Sequence, residues 1–188
     1  MVVDPSKDNT LEEIERFSAK KINLRMHCNP KHLGRAQSVL VGLKLAQGEV
    51  IIISSLDLSV PLAEVFNFLQ EFVTNPATQM TIGNRCTSKK KRTGRRSSWH
   101  LTLENIIAEK AKRKDLAAAD PACSILGFRK IALDKILSQL KLSSWFYGPE
   151  LLLVAQKNGI PVLDIPIVCN DRAESKIPLL REYLRNLI

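Results

Sequence analysis

The chain has 188 residues, a length that suits one domain, and its 45% hydrophobic content can build an ordinary core, which excludes disordered and fibrous classes. Only 5% of residues are aromatic, so the core must rest on Leu, Ile, Val and Ala, as expected for helices laid on a parallel sheet rather than for an aromatic-rich sandwich. The net charge of +9 implies attraction to anions (nucleic acid, acidic membrane or phosphorylated small molecules) without choosing among them.

Met1-Val2-Val3 has the character of a strand end, and Asp4-Pro5-Ser6-Lys7-Asp8-Asn9 is a turn cluster. Thr10 and Glu13 have capping-box spacing before Leu11, Ile14 and Phe17, so a helix is expected there. Ile22, Leu24 and Met26 alternate with polar residues and predict a half-buried strand. Ala36, Val39, Leu40 and Leu43 recur at helical spacing, with Gly48 as the stop. Val50-Ile51-Ile52-Ile53 is a continuous β-branched run, expected of a central parallel strand, and it delivers Ser54-Ser55-Leu56-Asp57 to the rim of the sheet.

From Pro61 a helix is expected to bury Leu62, Val65, Phe66, Leu69 and Phe72, followed by a strand at Met80-Thr81-Ile82. The excess charge is concentrated in Lys89-Lys90-Lys91-Arg92-Thr93-Gly94-Arg95-Arg96, a solvated loop or an attraction to lipid phosphate. Helices are expected around residues 100–114, over Leu133, Ile136, Leu137 and Leu140, and over 150–158, with a last strand from Ile160 to Val168. Trp145, Phe146 and Tyr147 are expected to be core or a loop anchor. This alternation of strands and helices predicts a doubly wound α/β sheet.

Open α/β sheets bind ligands beyond the carboxyl ends of their strands, which singles out Asp4, Asp57 and Gly83-Asn84-Arg85. An acidic residue there can hold a ribose hydroxyl or a divalent metal, and an arginine can pair with a diphosphate. Cys28, Cys86, Cys123 and Cys169 show no C-x-x-C pairing and read as reduced thiols of a cytosolic protein rather than as zinc ligands or disulfides. Asp4, Lys7 and Asp8 close behind Met1 argue against a signal peptide, and no apolar run reaches the roughly 18 to 20 residues of a membrane span. A cytoplasmic protein, at most peripheral on the cytoplasmic membrane face, is therefore expected.

Asp4-Pro5-Ser6-Lys7-Asp8-Asn9-Thr10, Gly34-Arg35-Ala36, Ser55-Leu56-Asp57-Leu58-Ser59, Gly83-Asn84-Arg85, Asp120-Pro121, Tyr147-Gly148-Pro149-Glu150-Leu151-Leu152 and Asp164-Ile165-Pro166-Ile167 with Arg172 and Lys176 run in one order. This ordered set resembles family 2 glycosyltransferases of the GT-A fold, above all those that transfer a sugar to dolichyl or another polyprenyl phosphate. The resemblance implies one domain over residues 1–188, incomplete at its N-terminus: a GT-A-like, Rossmann-like, mostly parallel doubly wound sheet lacking the family's first strand. It implies an inverting transfer from a nucleotide sugar to a polyprenyl phosphate or related acceptor. Asp4, Arg35, Asp57 and Arg85 would bind the nucleotide sugar, Asp57 and Glu150 would be catalytic, and Arg172 and Lys176 would meet the acceptor phosphate. Asp57 would hold Mg2+ or Mn2+.

Departures accompany the resemblance. Ser55 stands where the first Asp of the metal-binding D-x-D is expected, and Gly148 stands in place of another Asp. A catalytically silent relative is therefore the alternative expectation, and a basic nucleic-acid-binding module is a third, with Trp99 the one aromatic beside the basic run.

Overall fold

The computed structural model describes residues 1–20, 23–55, 57, 59–85, 98–116 and 118–170, with residues 98–101 as backbone only. The basic run at 89–96, Arg172 and Lys176 lie outside the described residues. In chain order the elements are β1 (Val2–Val3), α1 (Thr10–Ser18), β2 (His27–Cys28), α2 (Arg35–Leu45), β3 (Val50–Ile53), α3 (Leu62–Thr74), β4 (Met80–Asn84), α4 (Ser98–Arg113), β5 (Leu126–Arg129), α5 (Lys130–Ile136) with a 3-10 turn at Leu137–Gln139, α6 (Gly148–Lys157) and β6 (Val162–Pro166).

The strands form two sheets. β1 and β2 pair in parallel, Val2 opposite His27, while the larger sheet has the order β3-β5-β4-β6. β5 runs against both β3 and β4, and β4 and β6 are parallel, so three of its four strands point one way. The fold is thus α/β with a mostly parallel sheet, as the motif order implied, with one reversed strand that the apolar pattern did not announce. The reason lies at Gly127, which interrupts the β-forming run. A Cβ there would lie 2.5 Å from Thr81 Oγ1 and 2.6 Å from Phe72 Cε2, so the missing side chain is what lets α3 settle onto the sheet.

All five residues of β4 are buried, and Met80 and Ile82 pack with Phe68, Leu126, Phe128, Leu133, Ile136 and Leu151 in one core. A fully buried side chain of this size contributes about 1.5–3 kcal/mol. Arg129 ties α3 to β5: its Nη2 donates to the Phe72 carbonyl at 2.5 Å, and its Nε donates to the Thr78 carbonyl at 2.9 Å.

Several expectations are corrected. Where a strand over Ile22, Leu24 and Met26 was expected, the described residues from 23 onward place the strand at the exposed pair His27–Cys28, which β1 pairs with. The capping box at Thr10 does not form; Thr10 is already helical, and its amide donates to Asp8 Oδ1 at 3.1 Å. On α3 the buried face is Glu64, Phe68 and Phe72, while Leu62, Phe66, Leu69 and Val73 face outward. Glu64 tolerates burial because its carboxylate accepts from Asn67 Nδ2 at 2.9 Å and from the Val168 amide at 3.1 Å. Among the described residues no helix is long and apolar enough to cross a membrane.

Among the described residues the two sheets do not join. Between β1 and β3 lies a cavity of about 650 Å3, walled by Val2, Val3, Ile51, Ile52 and Ile53 and floored by Val39, Gly42, Leu43 and Ala46 of α2. Among the described residues no strand occupies this slot.

Candidate functional site

The polar mouth of this cavity is formed by Asp4, which follows β1, by Arg35 and Ser38 of α2, by Ser54, Ser55 and Asp57, which follow β3, and by Trp145 and Tyr147. Both strands end at this mouth, so they run the same way and their carboxyl ends converge, the place where open α/β sheets accept ligands.

Asp4 anchors one side. Its Oδ1 accepts from Asn29 Nδ2 (2.7 Å), Ser38 Oγ (3.1 Å) and the Leu33 amide (3.2 Å), and its Oδ2 accepts from the Gly34 amide (2.7 Å). Burial pushes its carboxyl up, but these bonds outweigh burial and hold it below the ordinary carboxylate value. Gly34 has φ of +85°, a conformation costly for any other residue, and this turn starts α2 so that Arg35 points across the mouth. Asp4 therefore sets the direction of Arg35.

On the far side, Arg35 Nη2 donates to Ser55 Oγ at 2.8 Å. The guanidinium carbon lies 5.3 Å from the ring centre of Trp145 and 5.5 Å from that of Tyr147, within reach of a cation–π attraction. Tyr147 is buried and donates its hydroxyl to the Ser124 carbonyl at 2.7 Å. Burial raises its phenol, the charge of Arg35 opposes that shift, and the charge of Asp57 adds to it, so all three share one electrostatic neighbourhood. Asp57 is exposed at the rim, with Oδ1 accepting from the Ser59 amide at 3.0 Å. It closes a local turn and makes no side-chain cap for α3, which begins after Pro61.

The structure thus brings together Asp4, Arg35 and Asp57. Arg85 and Glu150 do not line this cavity. Arg85 is buried and engaged by Asp120, Nε to Oδ2 at 2.5 Å and Nη2 to Oδ1 at 2.7 Å, with Nη1 on Glu104 Oε1 at 2.9 Å. Burial works against its charge, yet Asp120 more than offsets that, and the guanidinium holds its proton more tightly than usual. Arg85 acts as an internal clamp between β4, α4 and the loop before β5. Glu150 Oε1 accepts from the amides of Lys141 and Leu142 at 2.6 and 2.8 Å, which steadies a turn where Leu142 has φ of 45°. Trp145 and Tyr147 were expected as core or anchor; their place at the mouth depends on a long-range approach that no local spacing encodes. Cys123 is buried, which pushes its thiol up to about 12 and leaves it no role as a nucleophile.

A profile described as Glycosyl transferase family 2 matches residues 1–137. The chain belongs to glycosyl transferase family 2. Among relatives, a dolichyl-phosphate β-glucosyltransferase of Trichomonas vaginalis (ALG5C) is 25% identical over 187 residues, which cover 95% of this chain and 54% of the relative. The glycosyltransferase AglD of Haloferax volcanii is 21% identical over 185 residues, covering 96% of this chain and 29% of the relative. The chain spans about half the length, or less, of these relatives.

Solved structures agree on the fold. The glucosyl-3-phosphoglycerate synthase of Mycobacterium tuberculosis, in complex with Mn2+, UDP-glucose and phosphoglyceric acid, matches 99% of this chain and 65% of that one at 13% identity, with a TM-score of 0.67. A mannosyltransferase from Pyrobaculum calidifontis, in complex with GDP-Man and Mn2+, matches 98% of this chain and 50% of that one at 18% identity, with a TM-score of 0.59. The family 2 chain has the GT-A fold of these glycosyltransferases.

Those two structures hold Mn2+, whereas the rim of this family 2 chain fits such an ion poorly. Hard divalent cations are held by several oxygen ligands. Here Asp4 already accepts four hydrogen bonds, Ser55 is neutral and faces Arg35, and Asp57 stands as a single available carboxylate. Among the described residues no three His, Cys, Asp or Glu side chains converge as a metal-binding group.

Proposed function

We propose that this family 2 chain is the nucleotide-sugar-binding domain of an inverting glycosyltransferase whose acceptor is a polyprenyl phosphate of the dolichyl type. The observation that carries the reading is the convergence of Asp4, Arg35 and Asp57 on one cavity at the carboxyl ends of β1 and β3. The relatives named as dolichyl-phosphate β-glucosyltransferases support the choice of acceptor.

The chemistry needs little from the protein beyond placement and charge. A phosphate oxygen of the acceptor attacks the anomeric carbon from the face opposite the leaving group. The bond from that carbon to the nucleoside diphosphate breaks, its electron pair leaves with the diphosphate, and configuration inverts. The nucleophile is already anionic at neutral pH, so no general base is required. This suits a site in which Gly148 replaces a carboxylate and Glu150 is occupied with backbone amides. Arg35 meets the charge that develops on the leaving diphosphate, where a pre-positioned cation contributes most. Asp57, at the rim, holds the donor sugar or ribose. The net charge of +9 favours peripheral contact with an anionic membrane, where the acceptor would reside.

The test is transfer of radiolabelled sugar from UDP-glucose or GDP-mannose to dolichyl phosphate. Label should appear in the lipid phase with wild type and fall to background with Asp57→Ala; equal counts in the two samples would remove the reading. A second reading, a family member that binds donor without turnover, is favoured by Ser55 in the carboxylate's place. It predicts donor binding with no label transfer, and robust transfer by wild type would end it.

A further inference from the structure

The mouth of the cavity contains a permanent cation of the protein's own, placed where a bound divalent ion would otherwise have to be assembled from too few ligands. We propose that this rim recognises the diphosphate of a sugar nucleotide through the fixed guanidinium of Arg35, in place of a divalent metal. The inference rests on the reading of the cavity as a nucleotide-sugar site and specifies how that site supplies positive charge.

Three observations lead to it. Arg35 spans the mouth and is held at both ends, by the Asp4–Gly34 turn behind it and by Ser55 Oγ at 2.8 Å in front. Trp145 and Tyr147 flank it with ring centres 5.3 and 5.5 Å away, so the guanidinium is pre-oriented and loses little rotamer freedom when it meets an anion. Among the described residues no carboxylate lies within ion-pair distance of it. Its hydrogen-bond partner Ser55 is neutral and forms no ion pair with it. A guanidinium carries five N–H donors in a planar fork, and a diphosphate offers oxygens at matching spacing.

Ser55 therefore has a positive consequence as well as a loss. A carboxylate at this position, 2.8 Å from Arg35 through the existing bond, would neutralise the guanidinium and give Asp57 a second acidic neighbour. The site would then depend on a metal. With serine there, the arginine is free to serve the anion.

Calorimetric titration with UDP and with GDP, each in excess EDTA and in excess Mn2+, tests this. Wild type should bind at least one of them in EDTA, with affinity changing less than about threefold on adding Mn2+. Arg35→Gln keeps a hydrogen-bond donor for Ser55 but no charge; it should lose about tenfold or more in both buffers while melting like wild type. Ser55→Asp should weaken binding in EDTA and recover it in Mn2+. Binding by wild type only in Mn2+, or an Arg35→Gln variant as tight as wild type, overturns the inference and leaves the nucleotide site standing. No binding of either nucleotide in any buffer overturns both.

Discussion

Gly148 illustrates how one residue can bar a return to a more acidic site. A Cβ built on it would meet the Pro121 carbonyl oxygen far inside contact distance, so α6 begins pressed against the segment that follows Asp120. Gly148→Asp should therefore not simply restore a carboxylate. It should cost about 1–3 kcal/mol from overpacking, with a further penalty for a buried charge, and thermal denaturation should show a clear fall in Tm. Asp4 carries a different consequence. Its folded value lies below the ordinary carboxylate value, so its stabilisation is complete above the unfolded value and fades as pH falls through the folded one. The stability gap between wild type and Asp4→Asn, followed by denaturant titration, should be constant near neutrality and shrink in acid. A gap that widens in acid would contradict the hydrogen-bonded state described here. At this scale Asp4, Arg35 and Asp57 were visible in the sequence as residues placed after strands or before a helix, and the structure sets all three on one cavity. The sequence did not show that Arg85 and Glu150 lie away from that cavity, because their hydrogen-bonding partners Asp120, Lys141 and Leu142 are brought up only by folding.

Helix α3 shows what apolar spacing does and does not reveal about an element. Its large apolar residues, Leu62, Val65, Phe66, Phe68, Leu69, Phe72 and Val73, share one broad stripe, so the pattern cannot tell which edge of that stripe meets the sheet. The structure decides: Phe68 is 0% exposed and Phe66 is 61% exposed, two positions apart on one helix. Phe68→Ala should cost about 3–5 kcal/mol, while Phe66→Ser should stay within about 0.5 kcal/mol of wild type; chemical denaturation of the two variants separates them. β5 makes the complementary point. With Gly127 at its centre, four residues are too few to reveal a strand, and its reversed direction follows from pairing between β3 and β4 rather than from any residue preference.

The described residues share one core around β4, with β1 and β2 as an outlying parallel pair across the cavity from β3. Parallel pairing of two short strands contributes little without cover on both faces. The pair should accordingly open locally at lower free energy than β4. Native-state hydrogen exchange should show the His27 and Asn29 amides, which bond to Met1 and Val3 carbonyls, exchanging well before the amides of β4. Equal protection in both sheets would mean that the β1 region is integrated into the main cooperative unit. Because Asp4 lies directly after β1, this looseness also bears on the site, and a bound nucleotide should slow exchange at Asn29.

What the sequence determined by itself was the α/β class, the family, and the residues placed at strand ends, because these follow from local spacing and from motifs kept in order along the chain. What only the tertiary structure decided was which of those residues share a cavity. Arg35 and Ser55 are 20 positions apart, yet their side chains meet at 2.8 Å, and Trp145 and Tyr147 arrive from far along the chain to flank the guanidinium. Such convergence depends on how β1, α2 and β3 pack around one slot, and packing is a property of the folded whole that short-range pattern does not carry.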